Sequence, residues 1–110
     1  MPQDDGFRIM MSEADGTAVV HAAGEIDLDA RAELVRILTQ ASAGGRNLEV
    51  DLSRTTFIDS TGLRALLAVW RSQTAAGRGF ALRNPSPQVR QTLRVAGLED
   101  TFPIAPSDPD

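Results

Sequence analysis

The chain contains no cysteine and no lysine, and its only histidine is His21. Without cysteine there are no disulfides, no thiolate metal sites and no sulfur nucleophile. That absence also fits a reducing compartment. With one imidazole, a zinc site built on histidines is excluded as a working idea. The eleven cationic side chains are all arginine, which removes the phosphate-binding lysine of P-loops and all Schiff-base chemistry. Aromatic residues make up only 5%, so the core must rest on Leu, Val, Ile and Ala. No segment approaches the roughly 20 apolar residues needed to span a bilayer. The opening MPQDDGFRIM is acidic and broken by polar residues, unlike a secretory signal. Together these features lead us to expect a cytoplasmic protein.

What is present is the material of one small domain. The chain has 110 residues, 42% of them hydrophobic, and a formal net charge of −4. That length suits a single core. Net acidity repels nucleic-acid backbones and anionic lipid, so neither nucleic acid nor membrane is expected as a partner.

Residues 1–6 and 106–110 read as flexible tails around a core at about 7–104. Phe7–Met11 suits an edge strand. Asp15-Gly16 marks a turn, expected to be longer than two residues, and Thr17–Ala23 is a β-branched strand. Gly24 is expected to break that strand. Asp27 or Asp29 is placed to cap a helix over Ala30–Ala43, with Leu34, Val35, Leu38 and Ala41 at helical spacing and Gly44-Gly45 ending it. Asn47–Leu52 alternates as a strand. Ser53–Asp59 reads as a connection that carries Phe57 and Ile58 inward. From Ser60 to Ala76 the residues Leu63, Leu66, Leu67, Trp70 and Thr74 form a buried stripe, with Arg64, Ala68, Arg71 and Ala75 on the other face. Gly77 closes this helix. A short strand, Gly79–Arg83, precedes a helix started by Ser86-Pro87 and ended at Gly97, with Val89, Leu93 and Ala96 inward. Thr101–Ala105 is a possible last edge strand. The expected fold is α/β: a single mixed β-sheet with helices packed against it, in the order β-β-α-β-α-β-α-β.

The stretch that carries chemistry is Asp59-Ser60-Thr61-Gly62, where a strand feeds a helix. The first N–H groups of that helix lack internal partners, and its end carries partial positive charge. A phosphate on Ser60 would meet both. Gly62 removes side-chain bulk from the first turn, which we read as room for another protein. Ser60 alternatively serves only as the helix cap, unless Asp59 takes that role and leaves Ser60 exposed. As a nucleophile Ser60 lacks a base, because His21 lies far along the chain in a strand and no G-x-S-x-G elbow occurs.

The segments GEIDLDARAEL, VDLSRTTFIDSTGLRALL and VRQTLRVAGLEDTFPI, in that order, resemble the STAS domain of bacterial anti-sigma-factor antagonists. The resemblance runs from about Phe7 to Ile104. It implies a STAS fold and a partner switch in transcription control. In that family the unmodified antagonist binds an anti-sigma factor that is also a serine kinase, and so frees the sigma factor. Phosphorylation releases the antagonist and a serine phosphatase resets it. The family's modified residue matches Ser60, with Thr61 as the second candidate. The resemblance further implies partner-binding roles for Asp27, Asp59, Ser60, Thr61 and Gly62. Arg64, one turn after Ser60, is placed to reach a phosphate or a partner carboxylate. Asp27 is equally explained as a helix cap, and Arg64 as a solvated surface residue. No catalytic residue, cofactor or metal is expected.

Two rival readings stay open. One is a non-switching STAS scaffold or accessory subunit of a signalling or lipid-transport complex. The other is a receiver-like phosphoryl acceptor using Asp51 or Asp59, which lacks the lysine and the acidic pair such chemistry needs. Calorimetric titration of the pure protein with ATP and with Mg²⁺ is expected to give no binding heat. A saturable signal with either, accompanied by ATP hydrolysis, would restore the enzymatic reading.

Overall fold

The alternating apolar residues at the start of the chain form a hairpin. In the computed structural model, which describes residues 6–106, strand β1 is Arg8–Ala14 and strand β2 is Thr17–Ile26. Expectations for the tails fall, apart from Gly6 and Pro106, outside the described residues. Ala14 pairs with Thr17, so Asp15-Gly16 is the whole turn, shorter than expected. Both residues have positive φ, 53° and 79°. That backbone pattern matches the twist of the flanking strands, and Asp-Gly favours it.

Helix α1 (Leu28–Ser42) carries the chain to β3 (Asn47–Ile58), which pairs parallel with β2. Helix α2 (Ser60–Ala75) leads to β4 (Phe80–Arg83), parallel to β3, and α3 (Pro87–Val95) follows. The sheet order is β1-β2-β3-β4. The final strand expected at Thr101–Ala105 contracts to one parallel bridge between Leu82 and Ile104. Leu82 N–H donates to the Pro103 carbonyl and Ala105 N–H donates to the Leu82 carbonyl, each at 2.8 Å. Pro103 has no N–H with which to extend the ladder.

One face of the sheet carries the core. Ala18, Val20, Ala22, Leu48, Val50, Leu52, Phe80 and Leu82 pack against Leu34, Leu38, Leu63, Leu66, Val89 and Leu93 of the three helices. Each such Leu or Val contributes about 1.5–3 kcal/mol on burial. Trp70 is half-buried, its ring 5.9 Å from that of Phe102. The other face follows from the two-residue period of strands. It carries the cross-strand row Met10, His21, Asp51 and Arg83.

Several local expectations are corrected. Gly24 does not end β2, and Ser53–Ile58 belongs to β3 rather than to a connection. His21 pairs with Asp51 but Ala23 with Arg54, and Gly24 pairs with Thr55 but Glu25 with Phe57, so β3 twice inserts an extra residue. Such bulges re-aim side chains and hide the alternation that marks a strand. Gly24 itself has φ +95°, and a Cβ there would collide with the Gly6 carbonyl oxygen. Phe57, expected inward, is exposed while its neighbour Ile58 is buried, since adjacent strand residues face opposite ways. In α2, Thr74 is exposed and Gln73 is buried instead, its amide donating to the carbonyls of Arg46 and Gly79 at 3.0 Å each. Ala96 is exposed as the cap residue of α3.

Gly62 is buried, and the space it leaves faces the core. A Cβ there would stand 2.7 Å from Ile26 Cγ2 and 2.8 Å from Ile58 Cγ1. The glycine therefore lets α2 sit down on the ends of β2 and β3 and makes no room for a partner. Gly62→Ala is expected to cost about 1–3 kcal/mol through overpacking, read as a fall in thermal midpoint of roughly 4 °C or more. An unchanged midpoint would contradict this close seating.

Candidate functional site

The site begins with strand register. Ile26 and Ile58, the last residues of β2 and β3, are direct partners in a parallel pair. Each strand is followed by an aspartate and then a helix, Asp27 before α1 and Asp59 before α2. Asp59 N–H donates to the Ile26 carbonyl at 3.1 Å, which ties the two helix starts together. Two N-termini, each with partial positive charge, thus open at the same end of the sheet, but the N–H groups expected to be free for a phosphate at α2 are largely taken: those of Thr61 and Gly62 by the Asp59 carboxylate and that of Leu63 by the Asp59 carbonyl.

Both aspartates are caps. Asp27 Oδ1 accepts from Ala30 N–H at 3.2 Å, so Asp27 and not Asp29 starts α1. Asp59 Oδ1 accepts from Thr61 N–H at 3.0 Å and Gly62 N–H at 3.1 Å. It also accepts from the Thr61 hydroxyl at 2.6 Å. That hydroxyl bond does most to hold the Asp59 carboxyl below the usual carboxylate range; burial works against it, and the Gly62 and Thr61 N–H groups add to it.

The two hydroxyls differ accordingly. The Thr61 hydroxyl is committed to Asp59, and Thr61 is half-buried. Ser60 is the first residue of α2 and is exposed, and its hydroxyl has no hydrogen-bond partner among the described residues. Asp59 is the cap, and Ser60 is left free. Arg64 is exposed one turn further along. Asp27 faces a broad open groove that Phe7, Arg8, Glu25, Glu33 and Arg54 also line, and Ser60 lies outside it.

A second constellation lies on the open sheet face. His21 Nδ1 is 2.9 Å from Asp51 Oδ2, and His21 Nε2 is 3.2 Å from Ser12 Oγ. Sequence separation concealed this cluster, since β1, β2 and β3 must pair in register before the three residues meet. Its order resembles a serine-histidine-aspartate relay. Ser12, however, is exposed on an edge strand, where water has free access and a developing oxyanion would be unshielded. The cluster ties β1 to β3 across β2. Burial pushes the Asp51 carboxyl up, but donation from the backbone and hydroxyl of Ser53 and the contact with His21 outweigh it, so it too lies below its ordinary value.

The geometry presents an exposed hydroxyl at a helix start, with its neighbours occupied in shaping the backbone. Among the described residues no helix is long and apolar enough to cross a membrane. The family model described as "Mlab, STAS domain" matches residues 9–105. The chain belongs to the STAS-domain family, which includes the anti-sigma-factor antagonists. It is 28% identical over 103 residues to the anti-sigma-F factor antagonist RsfB of Mycobacterium tuberculosis, covering 93% of this chain and 84% of that protein. It superposes on the crystal structure of an anti-sigma factor antagonist from Mycobacterium paratuberculosis with a TM-score of 0.84 and 29% identity, covering 97% and 92% of the two chains. The anti-sigma factor antagonist SpoIIAA in its unphosphorylated form gives a TM-score of 0.74 at 25% identity, with 90% and 89% covered.

The two lowered carboxylates predict acid sensitivity. A group whose pKa falls on folding stabilises the native state above its unfolded value, near 3.9 for aspartate. That stability is lost as pH drops through the lower folded value. The thermal midpoint of the wild type is expected to fall between about pH 5 and pH 2. The double variant Asp51→Asn/Asp59→Asn is expected to fall less over the same range. Equal slopes for the two proteins would contradict the assignment.

Proposed function

We propose that the chain is an anti-sigma-factor antagonist whose state is set at Ser60. Unmodified, it docks on a cytoplasmic anti-sigma factor and displaces the sigma factor. The anti-sigma factor, acting as a serine kinase, transfers the γ-phosphoryl group of ATP to Ser60 Oγ. A P–O bond to Oγ forms, the bond to the ADP oxygen breaks, and the hydroxyl proton passes to a base on the kinase. A serine phosphatase reverses the modification by hydrolysis.

The observation that carries this reading is the contrast between the two hydroxyls at the start of α2. Ser60 is exposed and uncommitted, while Thr61 is bound to the cap. Thr61 remains the second candidate, but modifying it requires breaking the cap. The phosphate adds about −1.5 to −2 charges. On this chain it stands beside two helix N-termini whose positive ends favour it and whose capping carboxylates, Asp27 and Asp59, oppose it, and toward a nucleotide-loaded kinase it brings like charge and volume. Asp27 and Asp59 contribute by fixing the backbone on either side of the acceptor, and Arg64 offers a cation one turn away. The relatives named as anti-sigma factor antagonists support the choice of partner, and the described unphosphorylated form of SpoIIAA supports phosphorylation as the control.

A non-switching STAS module is the second reading, favoured by the matched family model, whose description names Mlab. One set of measurements separates the two. With a cognate kinase and ATP, intact mass is expected to rise by one phosphate in the wild type and not in Ser60→Ala. Ser60→Ala is expected to bind the anti-sigma factor as wild type does and to stay active. Ser60→Asp is expected to bind at least several-fold more weakly, since a single carboxylate reproduces only part of the phosphate. If neither variant changes phosphate uptake or binding, Ser60 is not the switch.

A further inference from the structure

We infer that β1 is a dimerisation edge, independent of what docks at Ser60: it pairs antiparallel with β1 of a second copy of this chain about a two-fold axis at Met11. The sheet order β1-β2-β3-β4 leaves two edges. An open edge exposes a row of unpaired N–H and C=O groups, and proteins blunt it with proline, lysine, a bulge or a covering segment. The β4 edge is blunted in this way. The chain returns beside Leu82 as a single bridge at Ile104, and Pro103 stops the ladder there. The β1 edge has none of these devices. Its seven residues, Arg8–Ala14, include no proline and no lysine, and they pair one-to-one with β2 without a bulge. Among the described residues no strand pairs with its outer side. The strand is also held in place. The Ser12–His21–Asp51 contacts tie it on the open face, and Arg46 donates to Glu13 at 3.2 Å.

The hairpin fixes which backbone groups face outward. Ala14 and Thr17 flank a two-residue turn, and such a pair exchanges both of its backbone hydrogen bonds. Alternation then directs the N–H and C=O groups of Arg8, Met10, Ser12 and Ala14 toward β2. Those of Ile9, Met11 and Glu13 point away from the sheet. A two-fold axis perpendicular to the sheet keeps each face on its own side, so outward residues meet outward residues. Centring on Met11 sets Met11 against its twin and Ile9 against Glu13. Every outward group from Ile9 to Glu13 then finds a partner, and two four-stranded sheets become one.

The side chains agree with that register. Met10 and Met11 are 71% and 46% exposed, one on each face of the strand. In the pair, Met11 packs on its twin on the helix side. Met10 lies opposite Ser12 on the open side, within diagonal reach of the twin's Met10. Methionine's flexible thioether adapts to such a seam. Charge favours the same partner. The strand starts at the cation Arg8 and ends toward Glu13 and Asp15. Arg46 already offsets Glu13, while Arg8 and Asp15 form no ion pair among the described residues. Antiparallel self-pairing sets each cationic start beside the other copy's acidic end, so unlike charges meet.

The test uses the full chain. A seam of this length is smaller than a standard interface, so sedimentation equilibrium is expected to show monomers passing to dimers with a dissociation constant on the order of 100 µM. Met11→Pro removes an outward N–H and no bond to β2, which an edge strand tolerates. It is expected to weaken dimerisation at least tenfold. Met11→Lys sets two like charges together at the axis and is expected to do the same. It keeps the inference testable should Met11→Pro unfold, and circular dichroism checks both. Because the chain has no cysteine, introduced thiols report the register. Met11→Cys places the two Cα atoms about 5.5 Å apart, within disulfide reach, and is expected to cross-link under mild oxidation. Glu13→Cys places its twin four residues along, about 13 Å away, and is expected to cross-link at least tenfold more slowly. A wild type that stays monomeric at every concentration overturns the inference. So does a dimer that both Met11 variants leave within twofold of wild type, or equal cross-linking by the two cysteine variants. A monomer whose binding to an anti-sigma factor is weakened by Met11→Pro would assign the edge to a partner's strand and likewise overturn the dimer.

Discussion

The parallel pairing of β2 with β3, ending on Ile26 beside Ile58, is the contact on which the other features rest. Because the two strands stop side by side, the aspartates that follow them cap two helices at one place. The bond from Asp59 N–H to the Ile26 carbonyl then locks the second helix start to the first strand. Gly62 completes the joint, since only a residue without a Cβ lets α2 settle against Ile26 and Ile58. A shift of one residue in this pair would turn the core side chains to the solvent face. It would also separate the two helix N-termini.

Within that joint the labour is divided among adjacent residues. Asp59 accepts three hydrogen bonds, and one of them takes up the Thr61 hydroxyl. Ser60 is thereby released from any structural duty. A hydroxyl used as a cap would be costly to modify; one left over is cheap to modify. The arrangement thus shapes the backbone around a side chain that holds none of its contacts, which is what the proposed switch requires of Ser60. The Ser12–His21–Asp51 cluster shows the opposite case. Its contacts have the order of a catalytic relay, yet its setting is a solvent-facing sheet, and its effect is to tie an edge strand to the interior of the sheet.

Most of the fold was legible because apolar periodicity and punctuation agree along much of the chain. Ser86-Pro87 and Gly97 bracket α3 as their backbone preferences require, and the last-turn N–H of Leu98 bonds back to the Leu93 carbonyl at 2.8 Å. Legibility failed where two chain segments negotiate their fit. The second half of β3 was hidden by two bulges that exist only relative to β2. Gly24 was read as a breaker, although its positive φ is accommodated inside a strand against Gly6. Phe57 was assigned inward because hydrophobicity alone cannot tell which of two neighbouring apolar residues the pleat turns to the core.

The sequence by itself determined the class of fold, the helix that begins at Ser60, the motif that resembles the anti-sigma-factor antagonists, and the chemistries that absent lysine, cysteine and a second histidine rule out. These are local or compositional properties, carried by residues near one another in the chain. Only the tertiary structure decided which aspartate caps and which hydroxyl is spare, that Gly62 serves the core, and that Phe57 meets solvent while Ile58 is buried. Each of those depends on where β2, β3 and the two helices come to rest against one another, and packing between distant segments has no local signature to read.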